Sequence, residues 1–170
     1  MKVQGSKDDP SAFSPEELLG YIYAILHSRK YRTKFQEYLN KDFPKIPIPT
    51  DPQSFRQIAE LGTKLLNCHL HFTKVSCDDD LKFVGDGIGV VEKAMLKGNA
   101  LYINKKQYFI PVTEDVFSFT IGGNSPLQKW IKDRKGIVIN DTDVEMFMKT
   151  ITTIRLTLRI MDEIDRSVFF

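Results

Sequence analysis

Two cysteines, Cys68 and Cys77, are all that 170 residues offer for disulfide chemistry, too few for the cross-linked framework of a small secreted domain. The N-terminus lacks the apolar core of a signal peptide, so a reducing cytoplasm is the expected compartment. No apolar run approaches the roughly 18 residues that cross a bilayer, and membrane insertion is not expected. An excess of one charge is missing too: 24 Lys and Arg stand against 22 Asp and Glu, a formal +2. That balance identifies no nucleic-acid binder by itself, because it averages over patches of opposite sign. Internal repeats and low-complexity tracts are absent. What is present is hydrophobic material, 42% of the chain, enough to bury a core and exclude disorder. The expectation is a flexible segment over residues 1–13 and one domain over 14–170, with two packed lobes as the alternative.

Helix starts of one recurring design punctuate the chain. Ser14-Pro15-Glu16-Glu17 places a serine at the cap, a proline at the first helical position and a glutamate able to close a capping box. The helix it opens runs to about residue 28. Leu18, Leu19, Ile22, Ala24, Ile25 and Leu26 cover most of its circumference, which predicts a buried helix. Residues 31–40 continue helically, with Tyr31, Phe35 and Tyr38 at helical spacing. "DFPKIPIP", residues 42–49, then forces an extended connector. Asp51-Pro52 starts a helix that Phe55, Ile58, Leu61, Leu65 and Leu66 carry to about residue 72. Residues 75–98 read as loops with a short strand. Residues 100–110 read as two strands around a polar turn, and "DVFSFTI", residues 115–121, alternates like a third. Thr142 and Glu145 are placed to cap a last helix with Val144, Phe147, Ile151, Ile154, Leu158 and Met161 on one seam. The fold class expected is α+β, mainly helical with a small antiparallel β-sheet.

Chemistry-bearing residues are few. "CHLHFTKVSC" holds Cys68, His69, His71 and Cys77, but adjacent positions on a helix face different ways, and the spacing fits no ordinary zinc knuckle. A buried cysteine and helix-end histidines account for it. "GDGIGV", residues 85–90, lacks the strong strand before it and the capped helix after it that a phosphate loop needs. A loop entering a strand is the simpler account.

The basic segments carry more signal. Residues 29–45 hold six basic residues against two acids, interleaved with Tyr31, Phe35, Tyr38 and Phe43. "SPLQKWIKDRKG", residues 125–136, is a helix with defined ends: Ser125 caps it, Pro126 opens it, Gln128 can close the box and Gly136 suits the exit. At about 100° per residue, Leu127, Trp130, Ile131 and Arg134 fall on one side and Gln128, Lys129, Lys132 and Lys135 on the other. The tryptophan then anchors the helix and three lysines face outward. Spacing alone leaves two readings open, a solvated face and a phosphate-binding one.

"YIYAILHSRKYRTKFQEYLNKDFPKIPIP", "GVVEKAMLKGNALYINKKQYF", "IGGNSPLQKWIKDRKG" and the final helix ending in "MDEID" resemble, in order, the C-terminal specificity domain of Type ISP restriction-modification enzymes and related large adenine-specific DNA methyltransferases. The resemblance covers residues 14–165. It implies a target-recognition domain that binds double-stranded DNA without catalysis, preceded by a nuclease and helicase or by a methyltransferase domain with its S-adenosylmethionine. No Asn-Pro-Pro-Tyr or Asp-Pro-Pro-Tyr motif for a flipped adenine is present in this chain, nor a glycine-rich methyltransferase cofactor turn. Two positions depart from the family pattern: the arginine of its Phe-Pro-Arg stretch is Lys45, and the aromatic after its glycine pair is Asn124. On this reading the DNA-binding candidates are Arg29, Lys30, Arg32, Lys34, Lys45, Asn104, Lys105, Lys106, Gln107, Asn124, Lys129, Lys132 and Lys135. Asn104 and Gln107 have side chains suited to adenine, yet a hairpin-closing role explains them as well and is preferred. Asn124 and residues 73–82 are the better specificity candidates. Two rival classes remain: a protein-interaction module docking its basic faces on an acidic partner domain, and an enzyme using Cys68 or Cys77.

Overall fold

The computed structural model describes residues 13–47, 49, 51–168 and 170, and residues 1–12 of the expected N-terminal segment lie outside that description. The chain divides into two compact units, one formed by residues up to Leu70 together with Arg159–Phe170, the other by His71–Leu158. Helix and a small antiparallel sheet make it a mainly helical α+β chain.

The first unit contains α1 (Pro15–His27), α2 (Arg29–Lys34), α3 (Gln36–Leu39), α4 (Pro52–Leu70) and the end of α7 (Asp141–Ser167). The box predicted for α1 is formed: the Glu17 amide donates to Ser14 Oγ at 3.1 Å, and the Ser14 amide donates to Glu17 Oε2 at 2.8 Å. Asp51 does the same work for α4, accepting from the amides of Gln53 and Ser54. α1 and α4 touch backbone to backbone through glycine. A Cβ built on Gly62 would sit 1.8 Å from the Gly20 carbonyl oxygen, and one on Gly20 would sit 2.5 Å from that of Ala59. Around that crossing Tyr21, Ala24 and Ile25 pack with Phe55, Ile58 and Leu65, and the Tyr21 and Phe55 rings stack at 4.6 Å. Phe13 stacks on the same Phe55 at 3.9 Å.

Two expectations fail in this unit. α1 is not buried all round: Leu18 and Leu19 are 44% and 52% exposed, while α4 packs on the face that carries Gly20, Tyr21, Ala24 and Ile25. The helix expected over 31–40 breaks at Phe35, whose φ of −110° and ψ of 18° leave the α region and separate α2 from α3. Residues 43–47 carry no regular structure, as their prolines require.

The second unit is built on a four-stranded antiparallel sheet, β1 (Lys82–Val84), β2 (Met95–Lys97), β3 (Ala100–Tyr102) and β4 (Tyr108–Ile110), in the order β1-β4-β3-β2. Phe109 is opposite both Phe83 and Leu101, so apolar side chains from three strands share one row. That row joins Val91, Leu127, Ile131, Phe147, Ile151 and Ile154 in one core. The third strand expected over 115–121 is instead α5 (Glu114–Ser118). Glu114 and Asp115 in its first turn favour a helix start, and only Val116 of the alternating residues is fully enclosed. α6 (Pro126–Asp133) follows. α7 begins earlier than expected, at a box made by Asn140 and Asp143 rather than Thr142 and Glu145. The Asp143 amide donates to Asn140 Oδ1 at 2.9 Å, and the Asn140 amide to Asp143 Oδ2 at 3.3 Å. Glu145 pairs with Lys149 at 2.8 Å. Among the described residues no helix is long and apolar enough to cross a membrane.

Candidate nucleic-acid interface

α6 has the two-sided character its sequence predicts. Ser125 Oγ accepts from the Gln128 amide at 3.4 Å and donates to the Phe117 carbonyl at 3.0 Å, tying the helix start to α5. Leu127 and Ile131 are buried in the core. The half-buried Trp130 ring lies 4.3 Å from Phe147, centroid to centroid. Arg134 closes over that ring at 4.1 Å and directs Nε to Asp143 at 3.3 Å, so it belongs to the anchored side. Lys129, Lys132 and Lys135 are exposed on the other side.

The three lysines border an open cleft of about 600 Å³, into which Lys93, Gln128 and Asn124 also face. Its carboxylates are Glu92 and Asp133. Asp133 holds Lys129 at 2.7 Å, an exposed pair of the kind that solvent weakens. The cleft is bounded by a tight turn in which Ile121 and Asn124 exchange backbone hydrogen bonds of 2.9 and 3.1 Å. Gly122 and Gly123 occupy the turn with φ of 56° and 81°, a pair of left-handed positions that glycine tolerates best. A Cβ on either glycine would meet nothing within 4 Å, so the turn stands clear of the surface with Asn124 exposed at its end. Gln128 lies on the outward side its sequence position predicts, whereas Lys93 is not marked by the sequence. Lys93 sits far from α6 along the chain, and no local basic cluster marks it.

Asn104 and Gln107 meet at the β3–β4 turn but do not face outward together. Asn104 Oδ1 accepts from the amides of Lys106 and Gln107 at 2.9 and 2.8 Å, and its Nδ2 donates to the Val90 carbonyl at 2.8 Å. Gln107 is 4% exposed. Its Oε1 accepts from the Gly89 amide at 3.0 Å, and its Nε2 donates to the Gly87 carbonyl at 3.3 Å. The enclosed amide fits the hairpin-closing role preferred for Gln107. The same bonds explain "GDGIGV": its backbone grips Gln107 and is not free to cradle a phosphate. Lys105 and Lys106 at the turn are exposed.

Residues 73–82 are tied down by Arg155, whose Nη1 reaches Asp78 at 2.8 Å and Asp80 at 3.0 Å. Arg29, Lys30, Arg32, Lys34 and Lys45 belong to the first unit and the cleft residues to the second. Arg29 pairs with Asp162 and, at 2.8 Å, with Asp165, and these hydrogen bonds raise its pKa. Burial pushes the Asp165 carboxyl up, but bonds from Arg29, Ser28 and the Lys30 amide outweigh it and leave the pKa lowered. Arg32 Nε donates to the Leu26 carbonyl at 2.6 Å. Lys30, Lys34 and Lys45 are exposed.

Cys68 is buried, and neither cysteine is in a disulfide. His69 Nδ1 meets the Tyr23 hydroxyl at 2.7 Å. Burial raises the Cys77 thiol pKa, which is opposite to what an activated nucleophile needs. Among the described residues no three His, Cys, Asp or Glu side chains are grouped to hold a metal ion.

A mainly helical α+β chain with an anchored helix, a lysine-lined cleft and an exposed polar turn has the features of a nucleic-acid-recognition module. Family comparison makes the class definite. The model of the Type ISP C-terminal specificity domain matches residues 3–163, and the chain belongs to that family. No curated protein matches the chain. Among solved structures, the fold is shared with a nuclease-deletion mutant of the Type ISP restriction-modification enzyme LlaGI in complex with a DNA substrate mimic. That match has a TM-score of 0.66 at 19% identity, over 89% of this chain and 16% of that one. The ATP-dependent Type ISP restriction-modification enzyme LlaBIII bound to DNA matches at 0.69 and 19% identity, over 93% of this chain and 11% of that one. The DrdV–DNA complex, determined by electron cryomicroscopy, matches at 0.71 and 18% identity, over 90% and 18%. The chain thus spans less than a fifth of each of these proteins.

Proposed function

We propose that this chain is the DNA target-recognition module of a larger restriction-modification protein, and that the cleft beside α6 is where it meets duplex DNA. The observation that carries the reading is the placement of Lys129, Lys132, Lys135 and Lys93 around one cleft bounded by an exposed polar turn. Lysines are point charges that neutralise phosphates and release condensed counterions without reading sequence. The Gly122-Gly123 turn presents Asn124, whose amide can donate to and accept from one base edge, as the adenine edge in the major groove requires. Affinity and specificity are thereby divided between a helix face and a turn.

Catalysis belongs elsewhere on this reading. Methyl transfer and its S-adenosylmethionine belong to a methyltransferase domain of the parent protein in the cytoplasm, together with any helicase and nuclease domains. Binding by the isolated chain is weak, since in the parent the same duplex is shared with other domains and gains from effective concentration. Fluorescence anisotropy against a labelled duplex tests the proposal. Affinity should fall steeply as salt rises, and an oligo-glutamate of equal charge should compete poorly. Tight, salt-insensitive binding of the acidic peptide with none of the duplex would favour docking on an acidic partner domain instead.

A further inference from the structure

We infer that the aromatic groove of the first unit is a second nucleic-acid site, one that takes unpaired bases of a single strand. Tyr31, Phe35, Tyr38 and Phe43, with Leu39 and Pro44, line an apolar groove of about 250 Å³. Its floor is rigid. The buried Tyr31 donates its hydroxyl to the Lys45 carbonyl at 2.9 Å, which holds the proline connector against α2, and its ring packs at 5.0 Å from Phe35. Its rim is the reverse: Tyr38 is 66% and Phe43 88% exposed, so two flat rings stand open to solvent. Exposed aromatic rings beside cations are what single-strand binders use, rings to stack bases and cations to follow the backbone.

The surrounding charge selects the occupant. Residues 29–45 carry six basic side chains against Glu37 and Asp42, which calls for a polyanion. Asp42 lies in the groove, where its carboxylate accepts from the Phe43 amide at 2.7 Å. The two arginines, whose forks suit carboxylate and phosphate alike, are engaged within the unit, Arg29 by Asp162 and Asp165 and Arg32 by the Leu26 carbonyl, which leaves the lysines as the cations to meet a ligand. The exposed lysines of this segment are Lys30, Lys34, Lys41 and Lys45; Lys45 lines the groove and Lys34 Nζ lies 5.8 Å from the centroid of the Phe35 ring. Lysines beside open rings fit a strand whose phosphates the cations neutralise and whose bases stack on the rings. The groove shares no lining residue with the α6 cleft and does not depend on the duplex reading.

The test uses a thymidylate oligonucleotide of about 12 nucleotides, an abasic oligonucleotide of the same length and an oligo-glutamate peptide. All are measured on the chain carrying Lys129→Gln, Lys132→Gln and Lys135→Gln, so that the cleft does not contribute. Adding Tyr38→Ala and Phe43→Ala removes two exposed rings, and circular dichroism should be unchanged. The thymidylate should then bind about tenfold or more weaker, as loss of base stacking requires. The abasic strand should bind weakly from the start and be indifferent to the two ring substitutions. Absence of thymidylate binding, equal binding by the ring-substituted chain, or equal affinity for the abasic strand would overturn the inference. Tighter binding of oligo-glutamate that is lost with the rings would overturn it in favour of an acidic protein partner.

Discussion

Replacing Trp130 with alanine should destabilise the chain by about 2–4 kcal/mol, and the structure sets that range. A fully buried tryptophan cut to alanine loses about 3–5 kcal/mol through transfer and cavity terms together. Trp130 is only half-buried, which lowers the transfer term. Its stack on Phe147 at 4.3 Å adds about 0.5–1.5 kcal/mol, and the Arg134 guanidinium above the ring adds about 0.5–1 kcal/mol. Against these, the indole Nε1 is buried with no hydrogen-bond partner, so its removal returns about 1 kcal/mol of desolvation. For a chain of this size the net corresponds to a melting temperature lower by roughly 5–15 °C. Thermal unfolding followed by circular dichroism measures it, with Trp130→Phe as the companion that keeps the stack and should lose less than half as much. If Trp130→Ala melts within about a degree of the parent, the ring does not anchor α6, and the orientation of the three lysines has lost its cause.

Acidification should destabilise the first unit before carboxylates titrate. Burial lowers the pKa of both His27 and His69 below the ordinary 6.5, with the neighbouring His27 lowering His69 further. A lowered folded pKa means stability that is complete above the unfolded value and lost as pH falls through the folded one. Denaturant midpoints should therefore drop below pH 6.5, and His27→Gln with His69→Gln should flatten that slope. Gly62→Ala should prevent native packing of α1 on α4, because the new Cβ meets the Gly20 carbonyl at 1.8 Å; recovery of a folded chain with an unchanged melting temperature would contradict the crossing described. Asn124→Ala in the parent protein should alter the preferred DNA sequence while leaving the salt dependence unchanged, read by binding selection from a random duplex library.

The elements that were legible in the sequence are those whose signals are local. The Ser14 and Ser125 caps, the Asp51 cap and the two-sided pattern of α6 depend on residues within one or two turns and stand as read, although Gln128 gives only its amide to Ser125 and does not complete the box that Glu17 completes at Ser14. The errors share a cause. "DVFSFTI" alternates like a strand, yet acids at its start favour a helix, and Val116 is buried with Phe117 and Phe119 partly so, which is not strand alternation. Leu18 and Leu19 look like core until α4 covers the other face of α1. The cap of α7 shifted because Asn140 and Asp143 repeat, two residues earlier, the spacing of Thr142 and Glu145. At the candidate site the lysines of α6 were visible as one face, whereas Lys93 joined them only through tertiary structure. The hairpin-closing role preferred for Gln107 has its partners in Gly87 and Gly89, two loop positions far from it along the chain.

The salt dependence of duplex binding with and without Lys129, Lys132 and Lys135 tests the central claim most directly. Each phosphate contact contributes a slope of about −0.9 to the logarithm of affinity against the logarithm of salt. Changing the three lysines to glutamine should reduce the slope by about one to three units, weaken all duplex sequences alike and leave the melting temperature within a few degrees. An unchanged affinity and slope in a folded triple variant would show that the α6 face is merely solvated and that DNA, if bound, is held elsewhere.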